Sequence, residues 1–399
     1  MIKQSRDAFN ASFTPEKYLN LLDAMVIDNK YTCKFRIAET PIFIPKDLKL
    51  KLEAACESLA DFICSEEFEI PAQKAIEKLG IKVPGEEGKP TFIQMDFGIS
   101  RDDDGELHPY LVEMQGFPSL YLFQLMLSDA YKSTFELQST LSNFPSGMSK
   151  AEYLEELREI MIGEGNPENT ILLEIDPEKQ NTAIDFYATQ KELGIKVLDL
   201  IDLKLEGKDL YYWEGNRKIP VYKIYNRVIF DELDQRKDLN PDFTFDKPIN
   251  AEWIGHPNWY FKISKYTMPY IRNNPFVPWT RFLSEIEEIP KDLENYVLKP
   301  LFSFSGTGVI FSVSKSDIDH VKDPENWVLQ RKIKYSPVIQ TPNPDEPVKC
   351  EVRMMHVWNK NDSRPKIVNN IVRLSKGDMI GVKYNKDKDW VGASCAFFE

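Results

Sequence analysis

The first part of the chain carries a helical pattern of apolar positions. Apolar side chains recur at intervals of three and four residues at Leu48, Leu52, Ala55, Cys56, Leu59 and Phe62. This spacing places them on one face of an α-helix, which is typical of a buried stripe. We therefore predict a mostly helical N-terminal region over residues 1–90. Residues 117–162 return to the same helical character.

A different pattern separates these two helical stretches. Thr91–Ser100 and Pro109–Gln115 are rich in apolar and β-branched residues, and the polar turn Arg101–Gly105 lies between them. Two such runs around a short polar turn predict a β-hairpin. The hairpin would place Asp96 and Glu113 on facing strands, within a unit that we assign to residues 91–165.

The next stretch alternates strand and helix signals. Thr170–Ile175 reads as a strand, Asn181–Leu193 as a helix and Ile195–Leu200 as a second strand. This succession is the β-α-β pattern of an open sheet. A hairpin is predicted over Leu210–Val221, and together these elements indicate a small α/β domain over residues 166–250.

From residue 251 to residue 399 aromatic and β-branched residues alternate with turn signals, which indicates a mainly antiparallel sheet. The strands predicted there are 258–264, 296–301, 309–313, 327–333, 350–358 and 366–374. The fold class expected for the whole chain is therefore α+β, with one α/β portion.

A loop of small residues follows the strand that begins at Tyr296. Lys299 stands where this strand meets the loop, and the loop holds Ser303, Ser305, Gly306, Thr307 and Gly308. Glycines can adopt positive φ and bring backbone N–H groups close to an anion, while hydroxyl groups add donors. The loop therefore predicts polyphosphate binding, or else a glycine turn between two core strands. Neither a Walker A motif nor a dinucleotide fingerprint is present.

Composition narrows the classes of function. The chain has 399 residues, enough for two or three domains, and 63 acidic against 50 basic residues give a net charge of −13; this argues against a diffuse nucleic-acid interface. The five cysteines include no Cys-x-x-Cys pair, which fits a reducing compartment. Without a signal-peptide pattern or a 20-residue apolar run, we expect a cytoplasmic protein that binds neither membrane nor nucleic acid.

Four features follow one another along the chain: Asp96 with Glu113-Met-Gln115, then Ser264-Lys265, then Lys299 with its loop, then the strand Trp327–Ile333. In this order they resemble the circularly permuted ATP-grasp ligases, the glutathionylspermidine synthase-like group. There an Asp…Glu-x-Asn hairpin that carries the metal precedes the two nucleotide lysines. The resemblance implies an ATP-grasp core in permuted order, whose metal half is residues 91–165 and whose nucleotide half is residues 251–399.

The resemblance also implies roles for individual residues. Lys265 and Lys299 would contact ATP phosphates, with loop 303–308 closing over them. The edge of the strand at Gln330, Arg331 and Ile333 would read adenine. The Mg²⁺ ligands would be Asp96, Glu113 and Gln115, which fits the preference of Mg²⁺ for oxygen ligands shared with phosphates.

Three positions leave alternatives open. Gln115 replaces the asparagine of the family, and Gln94 stands where the family has an arginine two residues before the aspartate. Lys262 competes with Lys265 for the first lysine role.

Activation of a carboxylate needs positive charge where the transferred phosphoryl group and the carboxylate meet. Arg353 and Arg373 are the candidates for this catalytic role, with solvated strand arginines as the alternative. Glu351 is a further candidate metal ligand.

These observations predict a carboxylate-amine ligase that uses ATP and Mg²⁺ and forms an acyl phosphate. Its substrates would be small-molecule or peptide carboxylates and amines. Two other hypotheses stay open: an ATP-binding protein for sensing or assembly that has lost turnover, and a kinase that stops at the phosphorylated product.

Overall fold

The computed structural model describes residues 1–80, 82–86, 88–302, 308–343, 346–377, 380, 385 and 387–399. The α-helices are α1 (Lys3–Ser12), α2 (Pro15–Ala24), α3 (Lys46–Ile63), α4 (Glu66–Leu79), α5 (Tyr121–Phe135), α6 (Lys150–Met161), α7 (Ala183–Leu193), α8 (Phe230–Gln235), α9 (Trp259–Lys262) and α10 (Lys315–Asp319). Short 3₁₀ helices span Pro167–Asn169, Leu200–Asp202, Lys265–Tyr270, Leu283–Glu285, Leu293–Asn295 and Pro324–Asn326.

The strands are β1 (Ile42–Ile44), β2 (Phe92–Arg101), β3 (Leu107–Gln115), β4 (Thr170–Glu174), β5 (Lys196–Asp199), β6 (Lys204–Glu206), β7 (Asp209–Glu214), β8 (Arg217–Val221), β9 (Lys223–Asn226), β10 (Glu252–Ile254), β11 (Thr280–Phe282), β12 (Tyr296–Pro300), β13 (Trp327–Arg331), β14 (Lys349–Val357), β15 (Lys366–Ser375), β16 (Gly392–Ser394) and β17 (Ala396–Phe398).

A five-stranded antiparallel sheet in the order β16-β15-β14-β2-β3 forms the centre of the molecule. The predicted hairpin is confirmed, and Asp96 lies directly opposite Glu113. Because side chains alternate between the two faces of a strand, the fully buried Met95 and Phe97 point away from Asp96. One face of the sheet therefore joins the hydrophobic core, and the other carries polar side chains.

The N-terminal helices pack on this core. The predicted apolar stripe is confirmed in α3, where Leu48, Leu52, Ala55, Cys56 and Leu59 are buried. The helical character predicted for residues 117–162 is confirmed by α5 and α6. The short strand β1 pairs in parallel with β17, which joins the N-terminal helical region to the last strand.

The α/β portion holds a second sheet with its own core. Four parallel strands run in the order β10-β9-β4-β5, and α7 connects β4 to β5 as the β-α-β pattern predicts. The predicted hairpin is confirmed as β7 and β8, which form a three-stranded sheet with β6. Residues Ile171, Leu173, Leu210 and Ile224 contribute to a hydrophobic cluster beneath both sheets.

Another three-stranded sheet, in the order β11-β13-β12, carries Lys299 on its edge strand. The strand predicted over residues 309–313 is wrong. Only Ile310 pairs with Leu298 as an isolated bridge, and the chain then turns away. The cause is Ser314, whose hydroxyl oxygen accepts from the Asp317 N–H and starts α10 directly afterwards.

The strand predicted over residues 258–264 is also wrong, because the chain forms α9 there. The alternating aromatic residues that suggested a strand are used for tertiary contacts: Trp259 stacks with Phe68 and Phe261 packs on Phe230. A four-residue helix depends on such packing rather than on its own propensity. Among the described residues, no helix is long and apolar enough to cross a membrane.

We expect Gly116→Ala to lower the free energy of unfolding by about 1–3 kcal/mol, the usual cost of overpacking. A Cβ at this position would lie 2.3 Å from the Trp259 carbonyl oxygen, and the Gly116 N–H donates to Ile263 O at 2.9 Å. Urea denaturation checks this prediction. Gly88→Ala is the matched control, because nothing lies within 4 Å of its Cβ position; equal midpoints would contradict the prediction.

Candidate functional site

Charged and amide side chains collect on the polar face of the five-stranded sheet. Four strands supply them: Gln94 and Asp96 from β2, Glu113 and Gln115 from β3, Glu351 and Arg353 from β14, and Arg373 from β15. Two lysines reach this face from other elements, Lys265 from a 3₁₀ helix and Lys299 from β12. The structure therefore brings together the predicted metal ligands, the two lysines and the two arginines.

Asp96 is held by two arginines. Arg353 is its cross-strand partner on β14, donating from Nε to Oδ1 at 2.5 Å and from Nη2 to Oδ2 at 2.7 Å. The Nη2 of Arg373 also donates to Oδ2. Burial alone would raise the pKa of Asp96, but the two guanidinium groups outweigh it and the pKa is lowered.

Gln94 continues this network on the same face of the sheet. Its Oε1 accepts from Arg353 Nη1 at 2.7 Å, and its Nε2 donates to Ser119 O at 2.7 Å. Gln94 is fully buried. Its amide therefore holds the Arg353 guanidinium in place and links it to the turn before α5.

Glu351 fixes the second arginine. Its carboxylate forms an ion pair with Arg373 and accepts from the Tyr335 hydroxyl at 2.9 Å. Burial raises the pKa of Glu351, although Arg373 acts in the opposite direction. Sequence reasoning did not single out Tyr335. The available signal was Gly98, a glycine inside a strand, because a Cβ there would lie 2.6 Å from the Tyr335 ring.

Glu113 is the carboxylate nearest the lysines. It accepts from Gln115 Nε2 at 2.7 Å, and its Oε2 lies 3.8 Å from Lys265 Nζ. Burial raises the pKa of Glu113, but Lys265 and Lys299 more than compensate, so the pKa is lowered. A hydroxyl cap at Ser264 starts the 3₁₀ helix and places Lys265 at its first position.

A β-bulge gives Lys299 a partner. Asp96 pairs with Glu113 whereas Phe97 pairs with Leu111, so Val112 has no partner in the ladder. The Val112 carbonyl accepts from Lys299 Nζ at 3.2 Å. Burial lowers the pKa of Lys299 to about 8, although Glu113 acts to raise it.

Lys262, the rival for the first lysine role, forms an ion pair with Glu86 instead. Gln330 is buried in β13, and Ile333 lies close to Gly98 beside the site. Arg331 turns its guanidinium toward Tyr296 and Asp292. Gly308 has φ of +75°, whereas Ser303, Ser305, Gly306 and Thr307 lie outside the described residues.

The predicted Mg²⁺ ligands differ in how well they fit a metal. Glu113 and Gln115 are adjacent and offer a carboxylate and an amide oxygen, which Mg²⁺ accepts as ligands. Asp96 does not fit, because both of its oxygens are taken by guanidinium groups. Within the described ranges, no group of three or more His, Cys, Asp or Glu side chains is arranged to hold a metal.

A further cation, Arg227, lies where β9 ends. Its guanidinium sits over the rings of Phe117 and Phe186, and Nε and Nη1 are buried without a hydrogen-bond partner in the described part of the chain. Buried donors of this kind are uncommon and call for an acceptor. The carboxyl ends of parallel strands are where open α/β sheets bind ligands. Sequence reasoning assigned no role to Arg227.

The polar face carries more positive than negative charge. Three carboxylates, Asp96, Glu113 and Glu351, face four cations, Lys265, Lys299, Arg353 and Arg373. The buried ammonium of Lys299 is destabilised by desolvation, as its lowered pKa reports. An anion that enters this face would be stabilised by the excess of cations.

We expect Lys299→Met to raise the free energy of unfolding at pH 7 by about 1–3 kcal/mol, since each pKa unit corresponds to about 1.36 kcal/mol. The pKa of Lys299 is about 8 in the folded protein against 10.5 for an ordinary, solvated lysine. Above pH 10.5 the side chain is neutral in both states and its burial carries no charge penalty, so stability is highest there. As the pH drops toward 8, the unfolded chain takes up the proton more readily than the folded protein, and stability falls. The gap between variant and wild type should therefore narrow between pH 8 and pH 10.

Urea denaturation at pH 7 and pH 9.5 measures this gap. Lys262→Met is the control, because Lys262 is equally buried but paired with Glu86, and its loss should lower stability. If Lys299→Met is also less stable than the wild type at pH 7, burial of the charged Lys299 side chain does not lower the stability of the protein.

No family model matches the chain, and no curated protein matches it. Among solved structures, the chain is similar to a glutathione synthetase-like effector from Globodera pallida in its apo form. The two are 13% identical, and the match covers 90% of this chain and 94% of that chain with a TM-score of 0.56. At this identity the likeness concerns the fold, and the chain has a mixed α/β, glutathione synthetase-like fold.

Proposed function

We propose that this protein is an ATP- and Mg²⁺-dependent ligase that joins a carboxylate to an amine through an acyl phosphate, on a permuted ATP-grasp core. The observation that carries the proposal is the convergence of Lys265 and Lys299 on Glu113, beside two arginines of the same sheet face. The fold of the structural neighbour is compatible with a ligase.

The two lysines suit the phosphates of a nucleotide. They come from separate elements, a 3₁₀ helix and the edge strand β12, and both bring positive charge near Glu113. Phosphoryl transfer depends mainly on such positioning and on electrostatic stabilisation of the transferred group. The predicted loop 303–308 would cover the phosphates, and Gln330 at the end of β13, with Ile333 two residues beyond the strand, would face adenine.

The two arginines differ in how far their side chains are exposed to solvent. The Arg373 side chain is 36% exposed, whereas that of Arg353 is 9% exposed behind it. Arg373 is therefore the catalytic candidate that meets the γ-phosphoryl group and the substrate carboxylate. A fixed guanidinium at this point stabilises the negative charge of the transfer without having to reorganise. Arg353 acts from behind through Asp96.

Arg227 is the cation best suited to a second anionic group of the substrate. Its Nε and Nη1, which have no hydrogen-bond partner among the described residues, lie next to Phe117, two residues beyond Gln115. Arginine binds carboxylates through a planar pair of donors. The substrate would then span from Arg227 to Arg373. Glu113 and Gln115 would hold Mg²⁺, which neutralises charge on the phosphates of the bound nucleotide.

We expect ATP with Mg²⁺ to raise the melting temperature of the wild type. Ligand at about 100 times its dissociation constant adds roughly 2.7 kcal/mol. Lys299→Ala and Glu113→Gln should lose most of this rise, because each removes a group that the proposal places at the nucleotide. Differential scanning fluorimetry with millimolar ATP measures the effect.

Lys315→Ala serves as the control, since Lys315 is exposed at the start of α10, and it should respond like the wild type. A wild type that does not respond to ATP would reject the nucleotide site.

We also expect release of ADP and phosphate when ATP and Mg²⁺ are combined with the correct pair from a pool of amino acids, peptides and polyamines. Arg373→Met should lower this turnover by about 100-fold or more, the usual effect of removing one electrostatic donor. Arg364→Met is the matched control, because the ion pairs of Arg364 with Glu57 and Asp61 lie at the surface. Equal turnover in both variants would exclude a catalytic role for Arg373.

One observation favours the second candidate function, an ATP-binding protein without turnover: Asp96, an expected metal ligand, is occupied by arginines. Tight ATP binding without ADP release across the whole substrate pool would support that alternative. A kinase would instead yield a product that keeps the γ-phosphate when the amine is omitted.

A further inference from the structure

Asp96 is the residue for which the geometry departs most from the expected metal site. We propose that Asp96 is a positioning residue that holds Arg353 and Arg373 at the reaction centre, and that the metal side of the site consists of Glu113 and Gln115 without it. The part of this inference that concerns the metal rests on the proposed function. The part that concerns the arginines does not.

The first argument is the number of acceptor positions. An ionised carboxylate offers about four lone-pair positions. Arg353 uses one on each oxygen of Asp96, and Arg373 uses a second one on Oδ2. Asp96 is also only 1% exposed. One position, on Oδ1, is left over, so a metal ion could bind Asp96 through at most one buried oxygen unless an arginine moved away.

The second argument is electrostatic. A divalent cation at Asp96 would sit beside two guanidinium groups, which repel it. Glu113 is different, because the nearest ammonium, Lys265 Nζ, lies 3.8 Å from its Oε2, beyond hydrogen-bond distance. A metal at Glu113 would also have the Gln115 amide as a neighbour.

The third argument is that both arginines belong to one hydrogen-bonded network that is anchored at its two ends. It runs from Ser119 O through Gln94, Arg353, Asp96, Arg373 and Glu351 to Tyr335. Asp96 is the only member that contacts both arginines in these bonds. Such a satisfied buried network fixes its members strongly. Removing Asp96 would leave two guanidinium groups facing each other without an anion between them.

A double-mutant cycle without any ligand tests the anchoring role. We expect Asp96→Asn to lower the melting temperature by several degrees, and Asp96→Asn/Arg353→Met to recover part of that loss, because the second change removes the unpaired cation. Glu113→Gln, the same type of substitution on the facing strand, should change it much less. A melting temperature at or above wild type for Asp96→Asn, with no coupling to Arg353, would overturn the proposal.

Arginine reactivity tests positioning apart from stability. Phenylglyoxal labelling of the native protein, read by mass spectrometry, gives the rate at Arg373 relative to the surface residue Arg364. We expect Asp96→Asn to raise this ratio several-fold, because Arg373 loses an anchor, whereas general loosening of the fold would raise both rates. An unchanged ratio would contradict positioning by Asp96.

The metal side is tested by the thermal shift with ATP, measured with and without Mg²⁺. The Mg²⁺-dependent part should remain in Asp96→Asn and disappear in Glu113→Gln. Its loss in Asp96→Asn as well would overturn the metal assignment. If the wild type shows no ATP shift, the proposed function fails, and the ligand-free cycle and the labelling still decide the role of Asp96.

If Asp96→Asn is too unstable to purify, the variant Asp96→Asn/Glu351→Gln/Arg353→Met/Arg373→Met covers this case, because it removes both buried carboxylates together with both of their arginines. Recovery of folded protein in this neutral variant would support anchoring by charge pairing. A neutral variant that folds no better than Asp96→Asn would reject it.

Discussion

The pairing of Asp96 with Arg353 is the interaction on which the site depends. Both side chains are buried, and a buried charge is tolerated only when a partner and hydrogen bonds offset its desolvation. Their cross-strand register also fixes how β2 lies against β14. The same contact therefore determines the alignment of the central sheet and the position of the positive charge on its polar face.

The other features of the site follow from how each element meets this sheet. The bulge at Val112 offers a carbonyl to Lys299, the close approach at Gly116 seats the helix that precedes Lys265, and Gly98 makes room for Tyr335. Each depends on backbone geometry in β2, in β3 or directly after β3. The hairpin thus shapes the site, while β14 and β15 add the two arginines and β12 adds Lys299.

Local patterns in the sequence were sufficient for the hairpin, the β-α-β unit and the α3 stripe, because alternation and helical spacing are properties of neighbouring residues. They failed at Trp259–Lys262, where tertiary packing of aromatic side chains overrides their strand preference. The resemblance indicated Lys265, the strand and loop pattern indicated Lys299, and the charge required at a transferred phosphoryl group indicated the two arginines. None of these showed that arginines occupy Asp96. That contact, and the one between Tyr335 and Glu351, depend on register between distant strands, which no local pattern encodes.

The central sheet joins strands from distant parts of the chain, and this has a consequence for synthesis. Arg353 follows Asp96 by 257 positions. A ribosome releases the N-terminal parts of a protein first, and domains generally fold in that order. The hairpin with Asp96 therefore emerges long before its arginines exist, and its carboxylate stays in contact with water during that interval. Asp96 can become buried, and the central sheet complete, only after β14 and β15 have left the ribosome.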